Sequence, residues 1–271
     1  MATPTGKQLL TTSRDLFRQD RQMVMLPVIG GLASLLGALI VGGALEGAFI
    51  AMGAKALQIV AIFIALWVAA SISIFFQVAV VFACTDRLEG RTPTIGGSLA
   101  QTWTRRGTVA KWAFLSAAVG MLIQAIEQRA GFAGRLIGFL GGLAWAVATF
   151  FVIPIIAFED VSPFAAVKES SSLLKLRFGT VARSSIRFGI IYLGWMLGAL
   201  AVLIVGIALV GPAPAIGIPL AVLGFGGFVV VAVLIATVGI YLRTILYRYA
   251  TSKPIPGIEL ELATVFTPIP R

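Results

Sequence analysis

Histidine and asparagine are absent from this chain of 271 residues, and cysteine occurs once, as Cys84. Without histidine there is no Ser-His-Asp relay, no imidazole axial ligand for haem and no ordinary catalytic zinc set. A single thiol closes no internal disulfide, so Cys84 is expected to serve packing. Without asparagine there is no acceptor for N-glycosylation. Charge is also scarce. Only 12% of residues are Asp, Glu, Lys or Arg, about half the share of a soluble domain. Thr5-Gly6-Lys7 lacks the glycine that a phosphate-cradling P-loop places upstream. No apolar stretch carries the regular arginine ladder of a voltage sensor. These absences predict no enzyme, no cofactor and no metal.

What the chain has in quantity is apolar sequence. Residues 188–242, fifty-five in a row, contain no charged side chain, and a Gly-Pro-Ala-Pro-Ala-Ile-Gly break at 211–217 divides them. Further charge-free windows cover 22–45, 56–85, 112–126 and 136–158. About 20 apolar residues cross the ~30 Å hydrocarbon layer. Six spans are therefore expected, at 24–48, 56–83, 107–126, 136–158, 187–210 and 217–243. The first run starts too late and runs too long for the h-region of a cleaved signal peptide, and is read as a retained helix.

The net charge of +10 sorts by side. With six spans both termini share one face. That face holds eighteen of the 21 Lys and Arg residues, and the other holds only Lys55, Arg129 and Arg135. Such asymmetry orients a multi-span protein with its basic face inward. The expectation is a bacterial inner-membrane protein with both termini cytoplasmic. The basic residues flank spans rather than form a separate basic domain, so the expected partner is anionic headgroups, at ~1 kcal/mol per cation near the surface, and not nucleic acid. Candidate headgroup contacts are Arg14, Arg18, Arg105, Arg106, Lys111, Lys175, Arg177, Arg183 and Arg187.

Three inner segments resemble one another. Each begins with Thr-Pro or Ser-Pro, at Thr3-Pro4, Thr92-Pro93 and Ser162-Pro163, and each precedes a pair of spans. Gly-Thr-Val-Ala followed by a basic residue occurs at 107–111 and again at 179–183. A hydroxyl at N-cap with proline at N1 starts a helix. Apolar residues on one face and basic residues elsewhere then suit a helix lying in the headgroup plane. The first would cover about 5–22. The fold class expected is an all-α membrane protein: a six-transmembrane-helix bundle with cytoplasmic amphipathic interfacial helices, arranged as three pseudo-repeats of interfacial helix plus hairpin. Residues 1–250 would form one domain. Residues 251–271, with four prolines and alternating Ile258, Leu260 and Leu262, would form an extended tail.

Gly43/Gly47, Gly138/Gly142 and Gly194/Gly198 have the spacing that lets membrane helices approach closely. Trp103, Trp112, Tyr241, Tyr247 and Tyr249 lie near span ends and fit interfacial anchoring. Glu159-Asp160 reads as a solvated span end. Asp86 and Glu89, among Arg87 and Arg91, read as surface ion pairs. Glu46, Lys55, Glu127 and Arg129 read as an outer-face ion cluster. An ionisable or polar group inside a span is a functional candidate by default, which makes Glu46, Gln77 and Gln124 a candidate intramembrane polar path.

The run 151–170, Phe-Val-Ile-Pro-Ile-Ile-Ala-Phe-Glu-Asp-Val-Ser-Pro-Phe-Ala-Ala-Val-Lys-Glu-Ser, and the run 245–252, Ile-Leu-Tyr-Arg-Tyr-Ala-Thr-Ser, carry a resemblance. They resemble an uncharacterised family of bacterial six-span inner-membrane proteins, a domain of unknown function. In that family a span ends in proline and an acid, a Ser-Pro interfacial helix follows, and the last span ends in a Tyr-Arg-Tyr-Ala-Thr-like sequence. The matching positions are Pro154, Glu159, Pro163, Ser170, Tyr247, Arg248, Tyr249, Ala250 and Thr251. The resemblance implies a membrane fold and location, and no reaction. The functional expectation is a non-enzymatic accessory or scaffold subunit contacting anionic lipid or other membrane proteins. The alternative expectation is a small-solute or lipid transporter using the polar path.

Overall fold

The computed structural model describes residues 21–54, 57–129 and 131–251, without the side chains of 21, 129, 132, 176–188, 190, 191 and 249. Every regular element among the described residues is a helix, with no strand among them. A 3-10 turn at Arg21–Val24 leads into α1 (Met25–Ala51) and α2 (Gln58–Leu88). The short α3 (Ile95–Trp103) follows, then α4 (Arg106–Arg129), α5 (Gly131–Ala148) and the short α6 (Val152–Phe158). Two long helices finish the chain, α7 (Pro163–Leu209) and α8 (Pro214–Ala250).

Six helical stretches are long and apolar enough to cross a membrane: Gln22–Ala51, Gln58–Leu88, Arg106–Gln128, Ala133–Phe158, Tyr192–Leu209 and Pro214–Arg248. Each overlaps one span read from the sequence, and the six-span all-α membrane class holds. The residues from Pro163 to Arg183, read as an interfacial helix, are not a separate element, however. They run without interruption into the fifth span, so α7 has 47 residues. No proline or helix-breaking turn stands between 164 and 209 to stop it. Of the two inner segments among the described residues, only the middle repeat has its interfacial helix as a discrete element, α3. The first segment lies in 1–20, outside the described residues, as does the tail from 252.

Local chemistry accounts for the boundaries. Ser162 caps α7, its Oγ accepting from the Ala165 amide at 3.3 Å, with Pro163 at N1. The cap of α3 is Thr94 rather than Thr92: its Oγ1 accepts from the Gly97 amide at 3.1 Å, two residues beyond the expected start. Between α2 and α3, Gly90 takes φ 74°, with Gly90 N–H donating to Arg87 and Arg91 N–H to Asp86. This is the Schellman closure, which needs a left-handed residue that glycine supplies without a Cβ clash. The fourth span breaks at 149–151. Pro154 has no N–H, and its ring excludes the carbonyl that Phe150 would present in a continuous helix.

The chain divides into two compact units. Among the described residues, one includes 25–177 with 243–251, and the other 178–242. In the first, α2 packs against α1, α3, α4 and α6, and α4 against α5. Its core gathers at one end. In α2 the large exposed apolar residues stop at Leu66, whereas Val78, Val80, Val81 and Ala83 are buried. Phe151, Ile155 and Ile156 of the α6 region, with Ile245 and Leu246 of α8, are buried as well. Removing side chains of this size from water contributes ~1.5–3 kcal/mol each. In the second unit, α7 and α8 pair through glycine. A Cβ placed on Gly206 would collide with the backbone of Ala221, and one on Gly224 with that of Leu203.

These are not the glycines singled out by spacing. Gly43, Gly47, Gly142, Gly194 and Gly198 have nothing within 4 Å of a built Cβ. Close approach between α1 and α2 falls instead at Gly30 against Phe76 and Gly37 against Ile72. Only Gly138 is in close contact among the chosen six, and it meets the side chain of Glu127. With 30 glycines in the chain, spacing alone does not say which helix face meets a neighbour.

Candidate functional site

The densest polar chemistry lies in the first unit, where α2, α6 and α8 end and α3 and α4 begin. It starts from the Gly90 turn. That turn folds Arg91 back over the last turn of α2, where its guanidinium meets Asp86 and also reaches Glu89 at 2.6 Å. Asp86 also accepts from Gln101 Nε2 of α3 at 3.3 Å. The two carboxylates, Asp86 first, push the exposed Arg91 guanidinium further above its ordinary range by accepting its hydrogen bonds. At 8% exposure Asp86 is not the surface group the sequence suggested. It is an internal acceptor bound from two elements.

Glu89 carries the network across the fold. Its second oxygen accepts from Nη1 of Arg248, near the end of α8, at 3.1 Å. Arg248 is only 7% exposed, so this ion pair is shielded and screened less than a surface pair. The neighbouring Tyr247 donates its hydroxyl to Glu159 at 2.6 Å, and its ring stacks on Phe158 at 5.8 Å with 8° between the planes. Phe158 in turn meets the edge of Phe82 in α2. Asp160 accepts from Thr108 Oγ1 of α4 at 2.9 Å, and Arg105 donates to the Phe158 carbonyl at 3.2 Å. The Glu159-Asp160 pair, read from sequence as a solvated end, joins α4, α6 and α8.

The break in the fourth span is closed by α7. Ser170 Oγ accepts from the Phe151 amide at 3.0 Å, and Ser171 Oγ donates to the Ala148 carbonyl at 3.4 Å. Two adjacent hydroxyls thus serve one orphan donor and one orphan acceptor at the ends of α6 and α5, as buried backbone requires. Aromatic residues expected at the interface are largely inside instead. Trp112 is 4% exposed and stacks on Trp145, and Tyr241 and Tyr247 are buried. Trp103 does stand out, 61% exposed, with Arg106 over its ring at 5.3 Å.

Of the candidate headgroup contacts, Arg106, Lys111 and Lys175 are exposed, and Arg105 is partly buried on its carbonyl acceptor. Lys168, on α7, is also exposed. Arg14 and Arg18 lie outside the described residues, as do the side chains of Arg177, Arg183 and Arg187. Of the candidate path, Glu46 and Gln124 are exposed on their helices, and Gln77 bonds within its own helix to Ser73 at 3.3 Å. No hydrogen bond joins these three to one another among the described residues. In the proposed outer ion cluster, Lys55 and the Arg129 side chain lie outside the described residues. Glu127 lies over Gly138. Cys84 is buried. Among the described residues no group of three His, Cys, Asp or Glu side chains is placed to hold a metal ion.

Sequence reading missed the partnership rather than the residues. Glu159 and Tyr247 each stand in one of the two family-like runs, 88 positions apart. Their joint occurrence in two such runs was the available signal. A family model described as a family of unknown function, DUF6159, matches residues 56–255. No curated protein and no solved structure matches the chain at a significant level.

Proposed function

The chain belongs to the DUF6159 family, whose function is unknown, and we propose that it is a non-enzymatic accessory or scaffold protein of a bacterial inner membrane, with both termini cytoplasmic and its basic end engaging anionic headgroups or an anionic membrane-protein partner. One observation carries this reading. At the polar end the carboxylates Asp86, Glu89, Glu159 and Asp160 all accept bonds from the protein's own side chains. The basic side chains Arg106, Lys111, Lys168 and Lys175 are exposed. Acids already engaged by the protein's own donors, beside exposed bases, leave a surface that attracts anions, at ~1 kcal/mol per cation. Exposed Trp103 beside Arg106 adds the aromatic group favoured at headgroup depth.

The transport alternative draws on Glu46, Gln77 and Gln124. The outward exposure of Glu46 and Gln124 favours the scaffold reading over a path through the bundle. The test is reconstitution into nanodiscs of mixed anionic and zwitterionic lipid, followed by analysis of the lipid retained on extraction. Enrichment of anionic lipid is expected. It should fall on joint replacement of Arg106, Lys111, Lys168 and Lys175 by glutamine. Equal retention of both lipid classes by the unmodified protein defeats the lipid half of the proposal. Labelling of single cysteines at 55 and 253 tests the orientation, which requires opposite sides.

A further inference from the structure

The arginines of the polar end have acceptors: Arg91 on Asp86 and Glu89, Arg248 on Glu89, Arg105 on the Phe158 carbonyl and Arg106 on the Trp103 carbonyl. Arg243 differs. Its guanidinium sits 5.1 Å from the centre of the Phe150 ring, at the turn between α5 and α6. It is partly buried. Among the described residues it is the one partly buried arginine that has neither a hydrogen-bond acceptor nor a carboxylate partner. A ring contact engages the face of the guanidinium. It leaves the five in-plane N–H groups unused. A shielded cation in that condition is costly without an anion.

Depth identifies the missing anion. Phe150 lies about one bilayer crossing, ~20 residues, beyond the start of α5 at Gly131. That places the ring and the cation above it at a headgroup layer. The guanidinium fork matches two oxygens of a phosphate and holds them bidentately. The hydroxyls at the break are already engaged, Thr149 Oγ1 with the Trp145 carbonyl and Ser171 Oγ with the Ala148 carbonyl. The anion must therefore come from outside these groups.

We propose that Arg243, seated on Phe150 at the break in the fourth span, binds the phosphate of a single phospholipid headgroup. This rests on the anionic-headgroup reading above but concerns one held lipid rather than the general preference of the basic surface. The seat fixes the fork at the break, and Ser170 and Ser171 hold that break in place. A lipid on this arginine would have its chains beside α5.

The test is native mass spectrometry of the full-length protein released from nanodiscs of defined phospholipid. Unmodified protein should retain one phospholipid. Arg243→Gln should lower its occupancy about tenfold, and Arg243→Lys, a point charge without the fork, should lower it less. Phe150→Leu removes the seat but keeps the cation, and should also lower occupancy. It serves as the readout should Arg243→Gln fail to fold by circular dichroism. Joint replacement of Arg106, Lys111, Lys168 and Lys175 should leave the single retained lipid in place while abolishing general anionic enrichment, which separates this proposal from the broader one. Equal occupancy in unmodified, Arg243→Gln and Phe150→Leu protein overturns it. Displacement of the lipid by millimolar inorganic phosphate overturns its assignment to a lipid, because the acyl chains should hold the headgroup against a free anion.

Discussion

The polar end of the first unit and the α7–α8 pairing of the second keep their helices together by different physics. At the polar end, side chains do the joining. Asp86, Glu89, Glu159 and Asp160 receive donors from α3, α4, α8 and the Arg91 turn, over a core of buried apolar residues. In the α7–α8 pairing, backbone approaches backbone at Gly206, Gly217 and Gly224, while Leu197, Ile204, Val222, Leu223 and Phe225 are exposed. Among lipid tails an apolar side chain gains nothing by leaving its solvent, so close van der Waals approach must supply the association. Where that solvent ends, ordinary core packing and charged hydrogen bonds become available again.

That contrast can be broken most severely in the glycine pairing. Gly224→Val would thrust a branched side chain into the Leu203 backbone, which unlike a flexible side chain has no room to yield. Destabilisation of about 3 kcal/mol is expected, read as a lowered unfolding midpoint in detergent. Gly194→Val, at an open position, should leave the midpoint nearly unchanged. Equal effects of the two would show that the close approach does not exist in the membrane.

Next comes the charged tie between α2 and α8. Glu89→Gln removes the carboxylate facing the buried Arg248 and should cost about 2 kcal/mol. Its effect should shrink in an Arg248→Met background, a coupling that a double-mutant cycle measures. Strict additivity would rule out the pair as a source of stability. Tyr247→Phe keeps the stack on Phe158 but removes the donor to Glu159. A loss of about 1.5 kcal/mol is expected, because the acceptor is a carboxylate. The smallest effect belongs to the outer surface. Lys168→Gln and Arg106→Gln should each change stability by less than about 0.5 kcal/mol, while anionic-lipid retention falls. A large change in stability from either would move that residue from the surface into the structural network.

The family-like runs were legible in the sequence as runs but not as partners. The fourth span reads from its sequence as unbroken from 136 to 158; it does reach Phe158, but it breaks at 149–151 before Pro154, which the apolar run alone does not announce. Thr94 took the cap expected at Thr92 because the extended residue at N-cap is chosen by where the chain leaves the Gly90 turn. Trp112 looked like an interfacial anchor because it lies near the start of the third span. Its stacking on Trp145 depends on which face of α4 meets α5, and periodicity does not determine that in helices that are apolar on every side.

By itself the sequence determined the membrane-spanning character of this protein and the number of its long apolar helices. Those follow from local quantities: the length of an apolar run against the thickness of a bilayer, and the energy of placing a charge within it. Only the tertiary structure decided that Glu89 meets Arg248, that Glu159 meets Tyr247, which glycines are contacts and which lie open, and that Arg243 rests on Phe150. These are pairings across as many as 159 positions of chain. They depend on the rotation and depth of whole helices, and no residue's neighbours in sequence carry that information.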